Sequence, residues 1–250
     1  MSSRRQLTWL FDLDNTLHDA SHAIFPAINA NMNAYMANVL GVDGQPAAPE
    51  VVNARRIAYW KRYGATLLGM VRHHQVRPAD FLHHAHRFDD LPSMIRFERG
   101  LARHLARLPG RKILLTNAPQ RYAREVLAHL KLQRQFRRQV AIEAMTVHRQ
   151  LRPKPSRVLL HQVLRREKLL AARTVLVEDT VANLKAARAL GLKTVWITRY
   201  IVASAHHGPT QHRAGAAANP SRRPAFVDVK VKSLADLPAQ LHRLHLPVQQ

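Results

Sequence analysis

Cysteine is absent from this chain, and its absence removes disulfides, thiolate metal sites and a cysteine nucleophile together. Oxygen and imidazole are then the good metal ligands left, a set that suits hard cations such as magnesium (Mg2+). Acidic residues are scarce as well. Only 16 Asp and Glu stand against 39 Lys and Arg, for a formal net charge of +23. Such an excess attracts polyanions at low salt. It favours an anionic substrate or partner without choosing among phosphate esters, nucleic acids and acidic proteins. The basic residues are spread over the whole length (Arg55-Arg56, Arg134 to Arg138, Arg165-Arg166, Arg222-Arg223) and are not gathered in a tail. A solvated basic surface is the plain reading, and a nucleic-acid or polyanion-binding face is the alternative. No run approaches the roughly 20 apolar residues of a membrane span. The opening MSSRRQLTWLF reaches Asp12 after too short an apolar segment for a signal peptide. These features lead us to expect a soluble, cytoplasmic protein with no membrane partner; they leave the oligomeric state open.

With 250 residues, 46% of them hydrophobic, the chain is long enough to bury a sizeable core in one or two domains. Short apolar runs recur between helical stretches: LTWLF (7–11), KILLTN (112–117), VAIEA (140–144), TVLVED (174–179), LKTVWIT (192–198) and FVDVKV (226–231). Strands alternating with helices imply an α/β fold, a mostly parallel sheet covered on both faces. Helix signals fit this. Pro119 opens a segment with Tyr122, Val126, Leu127 and Leu130 at helical spacing; Ser156 can cap a helix holding Leu159, Leu160, Val163 and Leu164; a helix from Thr180 ends at Gly191. Residues 18–96 break the alternation. Ile24, Ile28, Met32, Tyr35, Met36 and Val39 form one helical stripe, Val52, Ile57, Tyr59, Trp60 and Tyr63 suggest a second helix, and Phe81 and Leu82 lie in a third. The expectation is a helical insert at 18–96 dividing a core made of 1–17 and 97–250. Residues 203–223 lack periodicity and read as a loose basic loop. There is no internal repeat.

The first apolar run stops at Asp12-Leu13-Asp14. On a strand, positions i and i+2 project to one face, and carboxylates held side by side need a cation or a shared proton to coexist. Ligands of open α/β sheets bind at the carboxyl ends of the strands. The polar residues that interrupt the runs fall there: Asp12 and Asp14, Thr116 and Asn117, Glu178 and Asp179, with Lys154 of the RPKP segment able to join them. Such a set suits phosphoryl transfer. One carboxylate can attack phosphorus to give an acyl phosphate, while a second protonates the departing oxygen and later activates water. Thr116, Lys154 and a metal held partly by Asp179 would neutralise the phosphoryl oxygens. Singly these signals are weak, since Asp-x-Asp is usually a turn and Glu-Asp before a helix is often plain capping. Their order along the chain carries the reading.

The segments DLDNTL, LLTNA, RPKP and VEDTVANLKAARALG resemble the four motifs of haloacid dehalogenase superfamily phosphatases, over about residues 7 to 198. The insert after the first motif resembles members with a helical cap at that place. FDLDNTLHDA, HAHRFDDLP leading into LARLPGRKILLTNA, and EDTVANL resemble the pyrimidine 5'-nucleotidase branch. The resemblance implies a Rossmann-like core, a phosphoric monoester hydrolase, and a small phosphorylated substrate, most suitably a pyrimidine nucleoside 5'-monophosphate. A sugar phosphate or phosphoglycolate is the alternative within the same chemistry. It further implies Asp12 as nucleophile, Asp14 as general acid/base, and phosphate contacts from Thr116, Asn117 and Lys154. Magnesium would be held by Asp12, the Asp14 carbonyl and Asp179, with Glu178 as a direct or indirect ligand. Asp14 stands where the halide-releasing relatives have no such residue, which argues against dehalogenation. His18, His22 and His86 are candidates to face the leaving group, with His86 the cap residue in a His-x-x-Asp segment; a surface or core role is the plainer reading for each. The cluster His73, His74, His83, His84 and His86 suggests zinc, but adjacent residues lie about 100° apart on a helix and clamp an ion poorly.

Overall fold

The computed structural model describes residues 7–201 and 222–246. In chain order come strand β1 (Thr8–Phe11) and helices α1 (Ile24–Leu40), α2 (Pro49–Tyr63), α3 (Thr66–His74), α4 (Pro78–Ala85), α5 (Leu91–Met94) and α6 (Leu101–Ala106). They are followed by β2 (Arg111–Leu115), α7 (Gln120–His129), β3 (Arg138–Val140), the short strands β4 (Thr146–Val147) and β5 (Gln150–Leu151), and α8 (Arg157–Arg166). The chain closes with β6 (Thr174–Glu178), α9 (Val181–Arg188), β7 (Lys193–Ile197) and β8 (Val229–Val231).

Six strands form one sheet in the order β3-β2-β1-β6-β7-β8, parallel at every pairing. The apolar runs are continuous because such strands are covered on both faces. Trp9, Leu10, Phe11, Leu114 and Val177 are fully buried. Leu10, Ile113, Leu115, Leu176 and Trp196 pack with Leu159, Leu160 and Val163 of α8 and Leu184 of α9. Ser156 caps α8 as its sequence indicates, its Oγ accepting from the Leu159 N–H at 3.3 Å. Register between β1 and β2 begins at Gly110. Its φ of +88° favours glycine, and a Cβ there would lie 2.2 Å from the Leu7 carbonyl oxygen, which accepts from the Arg111 N–H at 2.9 Å.

Two apolar runs fold differently from expectation. VAIEA is a strand only at its first residue: β3 runs from Arg138 to Val140, and Ile142–Ala144 forms a 3₁₀ turn. The chain bends there because the Ile142 N–H bonds to the Ala118 carbonyl instead of continuing along β2. Only Val229–Val231 of FVDVKV pairs with β7. Before it, the Asp228 carboxylate accepts from the Thr194 N–H at 2.9 Å and from the Arg188 guanidinium at 3.0 Å, so a side chain takes the place of ladder bonds.

The chain divides into two compact units. One contains residues 7–20, 95–201 and 222–246; the other contains 21–94. These borders differ slightly from 18–96, because the Asp19 N–H bonds to the Arg96 carbonyl at 2.7 Å and ties both ends of the insert to the sheet unit. Within the helical unit, α1 buries Ile24, Ile28, Met32 and Met36 at four-residue spacing, while Tyr35 and Val39 are only partly covered. α2 buries Arg56 in place of the expected Ile57 and Trp60, its guanidinium donating to the Asn29 side-chain oxygen at 3.0 Å. α3 was not foreseen. It approaches α2 at Gly69, where a Cβ would fall 2.1 Å from the Tyr59 ring. His73 and His74 meet tyrosine hydroxyls, Tyr63 and Tyr59 respectively, each at 2.6 Å. Among the described residues no helix is long and apolar enough to cross a membrane. The expected loop at 203–223 lies outside the described residues except for Arg222 and Arg223.

Candidate active site

The strand order reverses direction around β1, which places the carboxyl ends of β1, β2 and β6 around one point, the position where such sheets take ligands. Phe11 ends β1, but the next residue stays in place, since the Asp12 N–H still bonds to the Val177 carbonyl at 3.0 Å. Lys154 arrives from the segment before α8. Its ammonium donates to Asp12 Oδ1 at 2.6 Å and to Glu178 Oε2 at 2.8 Å, with all three side chains nearly or wholly buried. Carboxylate oxygens of Asp12, Glu178 and Asp179 lie within 4.8 Å of one another. Residues 12, 154, 178 and 179 therefore converge from three parts of the chain.

The electrostatics are lopsided. Two carboxylates outweigh the effect of burial on Lys154 and hold it charged. Burial, then Glu178, pushes the Asp12 carboxyl well up from its ordinary value, with Asp14 adding to the rise against the Lys154 charge. Burial also raises Glu178, and Asp179 is pushed up to about 6, by burial first and by Asp12 second. One ammonium among three crowded carboxyls leaves negative charge that a divalent cation would offset. The donors are all oxygen, as a hard cation requires. The carboxylate trio thus fits a magnesium-type ion. The Asp14 carboxylate is not part of that trio.

Asp14 has its own setting. The Tyr122 hydroxyl on α7 donates to Asp14 Oδ1 at 2.6 Å, and His18 Nε2 lies 3.0 Å from the same oxygen. Both partners are buried. Burial, then Asp14, keeps the Tyr122 phenol far above its ordinary range, so it remains a donor. Tyr122 was legible in the sequence only as one more residue of an apolar helical stripe; its polar tip carried no local signal. His18 was a candidate to face a leaving group. It is buried against Asp14, in keeping with the core role that its sequence also allows.

Asn117 has a partner that the sequence does not indicate. Its side chain donates to the Lys154 carbonyl at 3.1 Å and accepts from the Lys154 N–H at 2.9 Å, a reciprocal clamp that fixes the lysine main chain. The amide thus ties the end of β2 to the segment that carries Lys154. Thr116 is buried at the end of β2, with Oγ1 accepting from the Ala118 N–H at 3.0 Å. Glu178 Oε1 accepts from the Thr180 N–H at 3.2 Å, and the Trp196 indole donates to the Asp179 carbonyl at 2.8 Å, which anchors the β6 end to β7. His86 belongs to the helical unit, at the end of α4, with Nδ1 3.0 Å from the Leu82 carbonyl oxygen. His22 lies in that unit too and is exposed.

The sequence profile of the haloacid dehalogenase-like hydrolases matches residues 9–197. Solved structures share the fold. A phosphatase of this superfamily from Thermococcus onnurineus aligns with a TM-score of 0.61 at 15% identity, covering 94% of this chain and 97% of that one. CbbY from Rhodobacter sphaeroides, solved in complex with phosphate, gives 0.57 at 20% identity over 93% and 96%. A 2-haloacid dehalogenase from Pseudomonas syringae gives 0.54 at 19% identity over 95% and 98%. The same fold thus accompanies proteins named for two different reactions, and only the side chains at the strand ends can discriminate between them.

Proposed function

We propose, from the premise that this chain belongs to the haloacid dehalogenase-like hydrolases, that it is a magnesium-dependent phosphomonoesterase working through a phosphoaspartate at Asp12. The observation that carries the reading is the pairing of two differently placed carboxyls. Asp12 is locked against Lys154, and Asp14 is held independently by Tyr122 and His18.

In this reading a carboxylate oxygen of Asp12 attacks phosphorus and the bond from phosphorus to the ester oxygen breaks. Asp14 gives its proton to the departing oxygen. Water then attacks the acyl phosphate, Asp14 takes its proton, and the bond between phosphorus and the Asp12 oxygen breaks to release orthophosphate and restore both residues. Lys154 orients Asp12 and supplies positive charge beside the transferring group, and Asn117 keeps Lys154 in place. Tyr122 donates to the ionised form of Asp14 and so favours the state that accepts a proton from water. Asp12, Asp179 and Glu178 would hold a divalent ion, which when bound neutralises phosphoryl oxygens. Asp14 would reach the same ion only through its carbonyl. A dehalogenase has no need of a proton donor for halide, so the hydrogen-bonded Asp14 supports phosphate ester cleavage.

For substrate, we infer pyrimidine nucleoside 5'-monophosphates, supported by the likeness of FDLDNTLHDA, HAHRFDDLP and EDTVANL to that branch; His86 is the proposed contact from the helical unit. Phosphate release from a panel of nucleoside monophosphates, sugar phosphates and phosphoglycolate, with and without magnesium, tests both levels. Highest kcat/KM on uridine or cytidine monophosphate is expected. Preference for a sugar phosphate removes the substrate assignment and keeps the chemistry. Full activity in Asp12→Asn would remove the chemistry itself.

A further inference from the structure

A cluster of positive charge outside the candidate active site sits at the other end of the sheet. Arg111 and Lys112 begin β2 and Arg138 begins β3, beside Arg134 and Arg137 of the turn before it. Together with Ala106, Gly110 and Gln135 they line a cavity of about 460 Å³. Ligand pockets run from about 300 to 1,000 Å³. Arg111 and Thr116 lie at opposite ends of β2, separated by about 16 Å of strand.

Five cations share one carboxylate. Glu167 takes Arg111 at 2.7 Å and Arg138 at 2.6 Å, dividing a single negative charge between two guanidinium groups. Lys112 donates to the Leu108 carbonyl at 2.8 Å, which adds no charge. Arg134 and Arg137 form no ion pair among the described residues and are exposed. The local balance is five positive charges less one, or +4. The frame beneath them is rigid. Phe136, between the two unpaired arginines, is fully buried; the Gln135 and Phe136 N–H groups bond to the Leu132 carbonyl at 2.9 and 3.1 Å; and the Gln135 amide donates to Ala102 at 2.9 Å. Guanidinium groups carried on such a backbone suit phosphate oxygens, which they bind in bidentate fashion.

We propose that this cavity binds a small polyphosphorylated ligand, at a site separate from Asp12. The excess of charge calls for more than one phosphate. The lining includes no aromatic side chain on which a nucleic-acid base could stack, and the cations converge on one concavity instead of running along a face. The inference stands independently of the phosphatase reading.

Titration calorimetry with sodium tripolyphosphate, at physiological salt and without divalent metal, tests it on the full chain. The wild type is expected to bind at one site. Arg134→Ser/Arg137→Ser is expected to bind at least about tenfold more weakly, to lose the rise in melting temperature that tripolyphosphate brings, and to keep its ligand-free melting temperature. A charge-matched control, Arg149→Ser/Arg222→Ser, alters two exposed arginines elsewhere and is expected to retain affinity within about threefold. Equal losses in both double variants would show that total charge alone attracts the probe and would overturn the proposal. Absence of wild-type binding overturns it as well. Tighter binding of a single-stranded oligonucleotide, lost through the same two arginines, replaces the small ligand with a nucleic-acid backbone.

Discussion

The two ends of the parallel sheet carry opposite charge in opposite ways. At the carboxyl ends, Asp12 and Glu178 pair with a single buried ammonium and the partly buried Asp179 lies beside them. At the amino ends of β2 and β3, five cations gather around one carboxylate, Glu167, which pairs with two of them, and Arg134 and Arg137 are exposed. Burial makes the difference. Charges withdrawn from water interact strongly and shift one another's protonation, as the rise of Asp179 to about 6 illustrates. Charges left in water act on ligands at longer range. The buried end is suited to chemistry and the exposed end to capture.

If that division holds, substitutions at the acidic end change turnover and those at the basic end do not. The largest effect among the supporting residues is expected for Asp14→Asn, a fall in kcat of about 10²- to 10⁴-fold, read by phosphate release. A turnover near wild type breaks the comparison at its centre. Tyr122→Phe removes one donor to a carboxylate and is expected to lower kcat about tenfold. It also moves the limb of the pH profile that reports Asp14 to higher pH, since the ionised form loses its hydrogen bond; an unchanged profile would reduce Tyr122 to packing. Asn117→Ala breaks both clamps on the Lys154 main chain. A stability loss of about 1–3 kcal/mol is expected in denaturant titration, together with a raised KM.

A smaller effect concerns pH without metal. Because the folded-state pKa of Asp179 is raised, its contribution to stability is greatest below its ordinary value of 3.8 and is lost as pH rises toward about 6. In chelator, the melting temperature should therefore fall over that window, and magnesium should restore at least about 2 °C at pH 7 and less at pH 4.5. A metal response as large at pH 4.5 as at pH 7 contradicts the crowding argument. The smallest expected change is in Arg134→Ser/Arg137→Ser, whose monophosphate turnover stays within about twofold of wild type. A large loss there would join the two ends functionally.

Much of the sheet was readable because parallel strands buried on both faces leave continuous apolar runs, and residues 7–11, 174–179 and 192–198 became strands nearly as written. VAIEA misled because a 3₁₀ turn buries Ile142 as well as a strand would. The second helix misled at Arg56, whose burial depends on Asn29, a partner 27 residues away. At the candidate site, Asp12, Asp14, Lys154, Glu178 and Asp179 were recognisable from residue type and order. The clamp from Asn117 to the Lys154 main chain was not, since an amide beside a strand end gives no local sign of so distant a partner.

The sequence by itself determined the alternation of strands and helices and the acidic residues at strand ends, because burial periodicity and chain breaks are local properties. Only the tertiary structure decided which polar groups meet: Tyr122 with Asp14 across 108 positions, Lys154 with Asp12 across 142, and Arg111 and Arg138 with one glutamate. Hydrogen bonds and charge balance depend on separations of about 3 Å, and such separations are set by the sheet order that brings distant segments side by side.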